Sequence, residues 1–179
     1  MKILQFVLIG LVVLIVLLLI VALFTKKKYG VVREVIIDKP KSEVFGYIKL
    51  LKNQDNFSVW AAKDPDMKKD FHGTDGTVGC VSSWESKMKD VGKGEQEIKK
   101  IVDGERIDYE LRFIEPFAST SFAYILTEGI SEKQTKVKWG FTGEMKYPMN
   151  LFLLTMNMEA MIGNDFQSGL NKLKAILEK

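Results

Sequence analysis

From Ile3 to Phe24 the chain carries no charged side chain, and Gln5 is the only clearly polar residue in the run. No other feature restricts the fold as strongly. As a helix the run is about 33 Å long at roughly 1.5 Å per residue, and the hydrocarbon core of a bilayer is about 30 Å thick. It therefore reads as a single-pass transmembrane helix. A cleaved secretory signal is the competing reading. Its apolar region is usually ~7–15 residues long and ends in small residues at the cleavage site. Here the run ends in Ala22-Leu23-Phe24-Thr25, with bulky residues at those positions, and no cysteine comes directly after it for lipidation.

The flanks suggest an orientation. Lys26, Lys27 and Lys28 come after the run, while only Lys2 and the N-terminal amine precede it. Excess lysine marks the cytoplasmic side, so residues 29–179 are expected in the cytoplasm. The chain then divides into an anchor with a basic flank, 1–28, and a folded domain, 29–179. The three lysines also lie where anionic headgroups attract them, at about 1 kcal/mol each. The single cysteine, Cys80, permits no internal disulfide, which agrees with a reducing compartment. The net charge is only +3, and lysines alternate with acids along the chain. There is no basic stripe with interleaved aromatics, so nucleic acid is not expected as a partner.

The chain beyond the anchor is long enough for a sizeable core. About 150 residues bury near 68–70% of their unfolded surface. Val31 to Ile37 is β-branched and predicts a strand. Pro40 then fits the first turn of a helix, and Val44, Phe45, Ile48 and Leu51 recur at helical spacing over 40–52. Asn53 to Trp60 predicts a second short helical turn. Strands are predicted at 68–72, 78–85, 94–102, 105–114, 119–128 and 135–145, separated by turn residues. Asp103-Gly104 suits a tight hairpin in which both central residues take positive φ. Many strands joined by short turns imply one curved antiparallel sheet. Met158, Ile162, Phe166, Leu170, Leu173 and Leu177 form one apolar stripe on a long final helix. The helices must cover the apolar face of the sheet. The expected fold class is α+β.

The segments REVIIDKPKSEVFGYI (33–48), Trp60, GTVGCVSSWES (76–86), VGKGEQEIKKIVDGERIDYELRF (91–113) and TKVKWGFTGEM (135–145) resemble the START-like, helix-grip proteins of the SRPBCC superfamily. The polyketide cyclase/dehydrase and lipid-transport branch is the nearest likeness. The resemblance covers almost everything after the anchor. It implies a curved sheet wrapped around the long C-terminal helix, with a cavity between them, and hydrophobic ligands as the common theme. No catalytic residue of that superfamily can be matched to a position here.

Alternation indicates which side chains point inward. One face of 78–84 carries Val78, Cys80, Ser82 and Trp84; 107–113 carries Ile107, Tyr109, Leu111 and Phe113; 135–145 carries Val137, Trp139, Phe141, Gly143 and Met145. The opposite faces carry Glu85, Asp108, Glu110, Arg112, Lys136, Lys138 and Glu144. The expected cavity residues are therefore Ser82, Trp84, Tyr109, Leu111, Phe113, Trp139 and Phe141 from the sheet, with Met158, Met161 and Ile162 from the helix. Ser82, Tyr109 and Gln96 are its polar points. Apolar walls with a few polar groups are typical of small-molecule pockets.

Residues for chemistry are scarce. Acid–base catalysis needs a positioned His, carboxylate or Lys, and the only histidine, His72, reads as a loop or strand-end residue. Asp64-Pro65-Asp66 reads as a solvated loop and not as a metal site. Gly73–Gly79 lacks the Gly-Lys-Ser/Thr ending of a phosphate loop. Neither a cofactor nor a metal is implied. Five of the eight methionines lie in 145–161. They read first as gap fillers under a helix and second as an adaptable binding surface. Gly163 and Gly169 read as close-packing positions ahead of space for a ligand. Phe117 reads as tucked into the core ahead of exposed at the cavity mouth. The leading expectation is a monomeric, membrane-anchored binder of a lipid or other small hydrophobic molecule. A cyclase/dehydratase-like enzyme using Tyr109, and a ligand-free interaction or stress-response module, stand as alternatives.

Overall fold

The structure, a computed structural model, describes residues 2–179. Its first element, α1 (Lys2–Phe24), is the uncharged run, and it is long and apolar enough to cross a bilayer. Most of its side chains are exposed; only in its last turn does Ala22 become fully buried. Then come β1 (Lys28–Ile37), α2 (Lys41–Ile48), α3 (Leu51–Phe57), α4 (Val59–Lys63), β2 (Lys68–His72), β3 (Val81–Glu85), β4 (Lys93–Val102), β5 (Arg106–Glu115), β6 (Ser119–Ser131) and β7 (Gln134–Glu144). A 3-10 helix (Met149–Leu154) and α5 (Met158–Leu177) close the chain.

The strands form one seven-stranded sheet in the order β1-β7-β6-β5-β4-β3-β2. Every neighbouring pair is antiparallel. Register shifts interrupt β4 against β5 at Lys93/Gly94 and Ile98/Lys100. Such bulges bend a strand and raise its twist, which helps the sheet curl around α5. On β5, Ile107 and Tyr109 are buried and Leu111 and Phe113 half-buried on the concave face. Arg112, on the convex face, pairs with Glu95 at 2.6 Å, with Glu97 at 2.7 Å and with Glu110. The hydrogen bonds it donates to these three carboxylates hold its guanidinium pKa above the ordinary value.

The pairing gives the sheet two distinct ends. Lys28, Glu144, Glu115, Lys93, Glu85 and Lys68 share the end into which α1 leads, here the near end. The Asp103-Gly104 turn and the C-terminus of α5 lie at the far end. There Lys174 donates to the Ile36 carbonyl at 2.6 Å, and the Asp38 N–H donates to Glu178 at 2.6 Å. The far half of the concave face is packed solid with Ile37, Val44, Ile107, Val137, Leu170 and Leu173.

Three local expectations are corrected. The helix expected over 40–52 breaks at Leu50, whose backbone is extended. Asp75 supplies the reason, because its carboxylate accepts from the Leu51 and Lys52 N–H groups at 2.7 and 3.3 Å and starts α3 afresh. The hairpin at Asp103-Gly104 is a three-residue loop, since Val102 pairs with Arg106 and only Gly104 has positive φ. Val78 does not point inward. Gly79, at φ 86°, breaks the alternation, so β3 begins at Val81 and Val78 is exposed.

Helices α3 and α5 both begin on side-chain acceptors. Asn157 Oδ1 accepts from the Ala160 N–H at 3.0 Å, as Asp75 accepts at the start of α3. Removing such an acceptor typically costs about 1 kcal/mol. Asn157→Ala and Asp75→Ala are each expected to lower stability by that order in urea melts; unchanged midpoints would show that these helix ends are satisfied by other groups.

A cavity at the near end of the sheet

Along the concave face of β6 the residues shrink toward the near end, from Ile125 through Ala123 and Ser121 to Ser119. Small side chains on this central strand cannot reach α5, and a cavity of about 410 Å³ lies between them. Its wall is aromatic. Trp139 stacks on Phe166 of α5 with ring centroids 4.3 Å apart and planes 15° from parallel. Phe57 and Trp60 meet the edges of this pair, and Phe141 packs edge-on against Phe166. On the other side Trp84 packs edge-on against Phe113 at 6.0 Å. The stack is possible because residue 169 is glycine: a Cβ there would lie 3.0 Å from the Trp139 ring and 3.2 Å from the Phe57 carbonyl. Gly163 likewise makes room for the Arg33 guanidinium, which pairs with Glu159 at 2.6 Å. Both glycines serve close packing.

The lining carries seven neutral polar residues and five charged ones. Gln96 donates from Nε2 to Oε1 of Gln54 at 3.0 Å. Ser82, Ser119 and Ser121 add hydroxyls. The Trp84 indole N–H is used by the Val91 carbonyl at 3.3 Å. Tyr29 lines the near end, and burial pushes its phenol pKa up, so it stays neutral. The charged lining residues Asp55, Lys69, Asp90, Glu115 and Glu144 are half-buried or exposed, and Lys69 is paired with Asp55 at 2.9 Å. Such a site holds an apolar body and fixes one polar group through an amide or a hydroxyl.

The rim carries the exposed lining residues Glu115, Pro116, Phe117, Ser119 and Glu144, all at the near end. Phe117 is 75% exposed. The expectation that it tucks into the core is corrected: the loop between β5 and β6 leaves it at the mouth.

Of the residues expected to line the cavity, Ser82, Trp84, Leu111, Phe113, Trp139, Phe141 and Ile162 do so, as does Gln96. Tyr109, Met158 and Met161 do not. Tyr109 lies two residues farther from the mouth than Leu111, among the packed core side chains, and is 2% exposed. Burial first, then Asp75 and Asp108, hold its phenol far above the ordinary range, so it is not placed to move protons for a cavity ligand. Met161 is one residue off the apolar stripe of α5 and is 54% exposed; Met158 faces the end of α1. The exposed Met149, Met156 and Met161 therefore fill no gap under α5. His72 is the last residue of β2 and is exposed beside Asp70. Sequence reasoning missed Tyr29, which sits just after the lysines and reads as linker, and the Ser119, Ser121, Ala123 run, whose small residues on one strand face are the signal for the void.

The fold is a helix-grip-like α+β arrangement, with a packed far half and a hollow near half. No family model matches the sequence, and no curated protein matches it. Solved structures do. A protein from Nitrosospira multiformis is 18% identical with a TM-score of 0.58, covering 83% of this chain and 96% of that one. A protein from Chromobacterium violaceum is 15% identical with a TM-score of 0.58, covering 84% and 97%. Ara h 8.0201 is 12% identical with a TM-score of 0.55, covering 84% and 97%. At these identities the likeness concerns the fold.

Proposed function

We propose that this chain is a membrane-tethered binding protein for one small, largely apolar molecule, such as a lipid acyl chain or a compact ring system. One observation carries the reading: an aromatic-walled cavity of about 410 Å³ opens at the sheet end into which α1 leads. Pockets for small molecules typically have ~300–1,000 Å³ and apolar walls with few polar groups. In this reading α1 spans the bilayer and the three lysines hold the folded part on the cytoplasmic side. The cavity mouth then faces the bilayer, where apolar ligands dissolve. Binding needs no catalytic group. The aromatic walls exclude water, while the Gln54–Gln96 pair and the serines orient a single polar group.

The test uses the full chain in lipid nanodiscs with a diazirine-bearing fatty acid. After photolysis, labelled peptides are expected to map to 107–115 and 137–143, which carry Leu111, Phe113, Trp139 and Phe141. Labelling confined to 2–24 would show that the probe stays in the bilayer and would overturn the reading.

A further inference from the structure

Between Met145 and Met158 the chain reads MKYPMNLFLLTMNM, with one lysine and no acid. Tyr147, Met149, Phe152, Leu154 and Met156 in this stretch are 42, 48, 48, 61 and 38% exposed. Their arrangement comes from the 3-10 helix, in which residues three apart eclipse. Met149 and Phe152 share an outward face, while Asn150 and Leu153 face α1. Contiguous exposed apolar side chains on a folded chain mark a contact surface.

The position of this surface is fixed by a specific pair of hydrogen bonds. Asn150, fully buried, donates from Nδ2 to the Ala22 carbonyl at 2.7 Å and to the Thr25 carbonyl at 3.0 Å. These are carbonyls of the last turn of α1 and the residue after it, left without helical partners where the helix ends. The segment is thus locked, side by side, to the point where α1 finishes. Ile20, Val21 and Phe24 of α1 and Leu153, Leu154 and Met156 of the segment line one shared groove. A helix of this length has little to spare over the ~30 Å hydrocarbon core, so its last turn lies at the headgroup boundary. Apolar residues bound to that turn are at the same depth. Lys26, Lys27 and Lys146 are exposed beside them. Apolar side chains with lysines and a tyrosine at the edge are the composition of interfacial segments.

We infer that residues 147–156 lie in the bilayer interface, with Met149, Phe152 and Leu154 inserted among the lipids, and hold the folded part at a fixed height and tilt on the membrane. The inference rests on the reading of α1 as a membrane span. It supplies what a single helix and a short linker cannot, a second contact that fixes orientation, so that the cavity mouth stays turned to the bilayer.

Nitroxide labels report depth through their collisions with oxygen, which concentrates in the bilayer, against a water-soluble nickel chelate. The full chain, with Cys80→Ser, is reconstituted into vesicles of phosphatidylcholine and phosphatidylglycerol. It is labelled separately at Leu154→Cys, Met149→Cys, Val12→Cys in the span, and Lys133→Cys in the β6–β7 turn at the far end. The labels at Leu154 and Met149 are expected to favour oxygen several-fold over that at Lys133 and to fall between Lys133 and Val12. An immersed Val12 with Leu154 and Met149 as open to nickel as Lys133 would overturn the inference and leave the span intact. A Val12 open to nickel would remove the span and the inference together. Leu154 and Met149 are both surface positions, so the labels do not depend on repacking the core.

Discussion

Trp139→Ala is expected to lower stability by about 3–5 kcal/mol, the range for removing a large buried aromatic side chain. Trp139 is 4% exposed and has a partner on each side. Phe166 stacks on it at 4.3 Å, Phe57 meets it edge-on at 5.6 Å, and the backbone of Gly169 comes within reach of its ring. Each aromatic pair contributes about 0.5–1.5 kcal/mol beyond the area it buries. Native domains are stable by only ~5–15 kcal/mol, so one substitution removes a large part of the margin. Phe113→Ala is the informative comparison. Phe113 also lines the cavity, but it is half-buried and Trp84 is its one aromatic partner. It should cost clearly less. Urea unfolding of both variants, monitored by near-UV circular dichroism in detergent, reads the difference as a shift in midpoint at unchanged slope. Equal and small losses would mean that the Trp139–Phe166 stack does not hold α5 against the sheet.

This comparison also shows how far the sequence reaches. Alternation along 107–113 and 135–145 identifies the face of each residue, because successive side chains on a strand point to opposite sides. It does not say how far along the strand the covering helix stays in contact. Tyr109 and Phe113 share a face, yet one is core and the other wall, because α5 meets the sheet closely at the far end and stands off at the near end. The stand-off comes from β6, where Ser119, Ser121 and Ala123 replace the large residue found at Ile125. α1 was legible from the absence of charge alone. The helix break at Leu50 was not, because its cause is Asp75, which reaches it from a distant loop. The role of the methionine-rich stretch was equally hidden. Nothing in its composition shows that Asn150 ties it to the end of α1; only the tertiary contact gives the exposed side chains a place.

Ser121→Phe is expected to separate binding from folding. Ser121 is 4% exposed, lines the cavity, and pairs across the sheet with Leu111 on β5. A phenyl ring at this position is expected to enter the cavity that Ser121 lines and to bury apolar area there. Midpoints in urea should hold or rise. Ile125→Phe, further along the same strand face, has no such space, since Ile125 is 1% exposed within the packed core. There the overpacking should cost about 1–3 kcal/mol. The same ring at 121 occupies the volume a ligand would need, and photolabelling of 107–115 and 137–143 by the diazirine fatty acid should fall by roughly tenfold or more, equivalent to at least about 1.4 kcal/mol of binding. The two readouts therefore move in opposite senses only if the near half is a true cavity that the probe enters. A Ser121→Phe chain that unfolds like Ile125→Phe would show that the near half is packed. A stable Ser121→Phe chain that labels as well as the wild type would place the probe outside the cavity and remove the basis for the binding function.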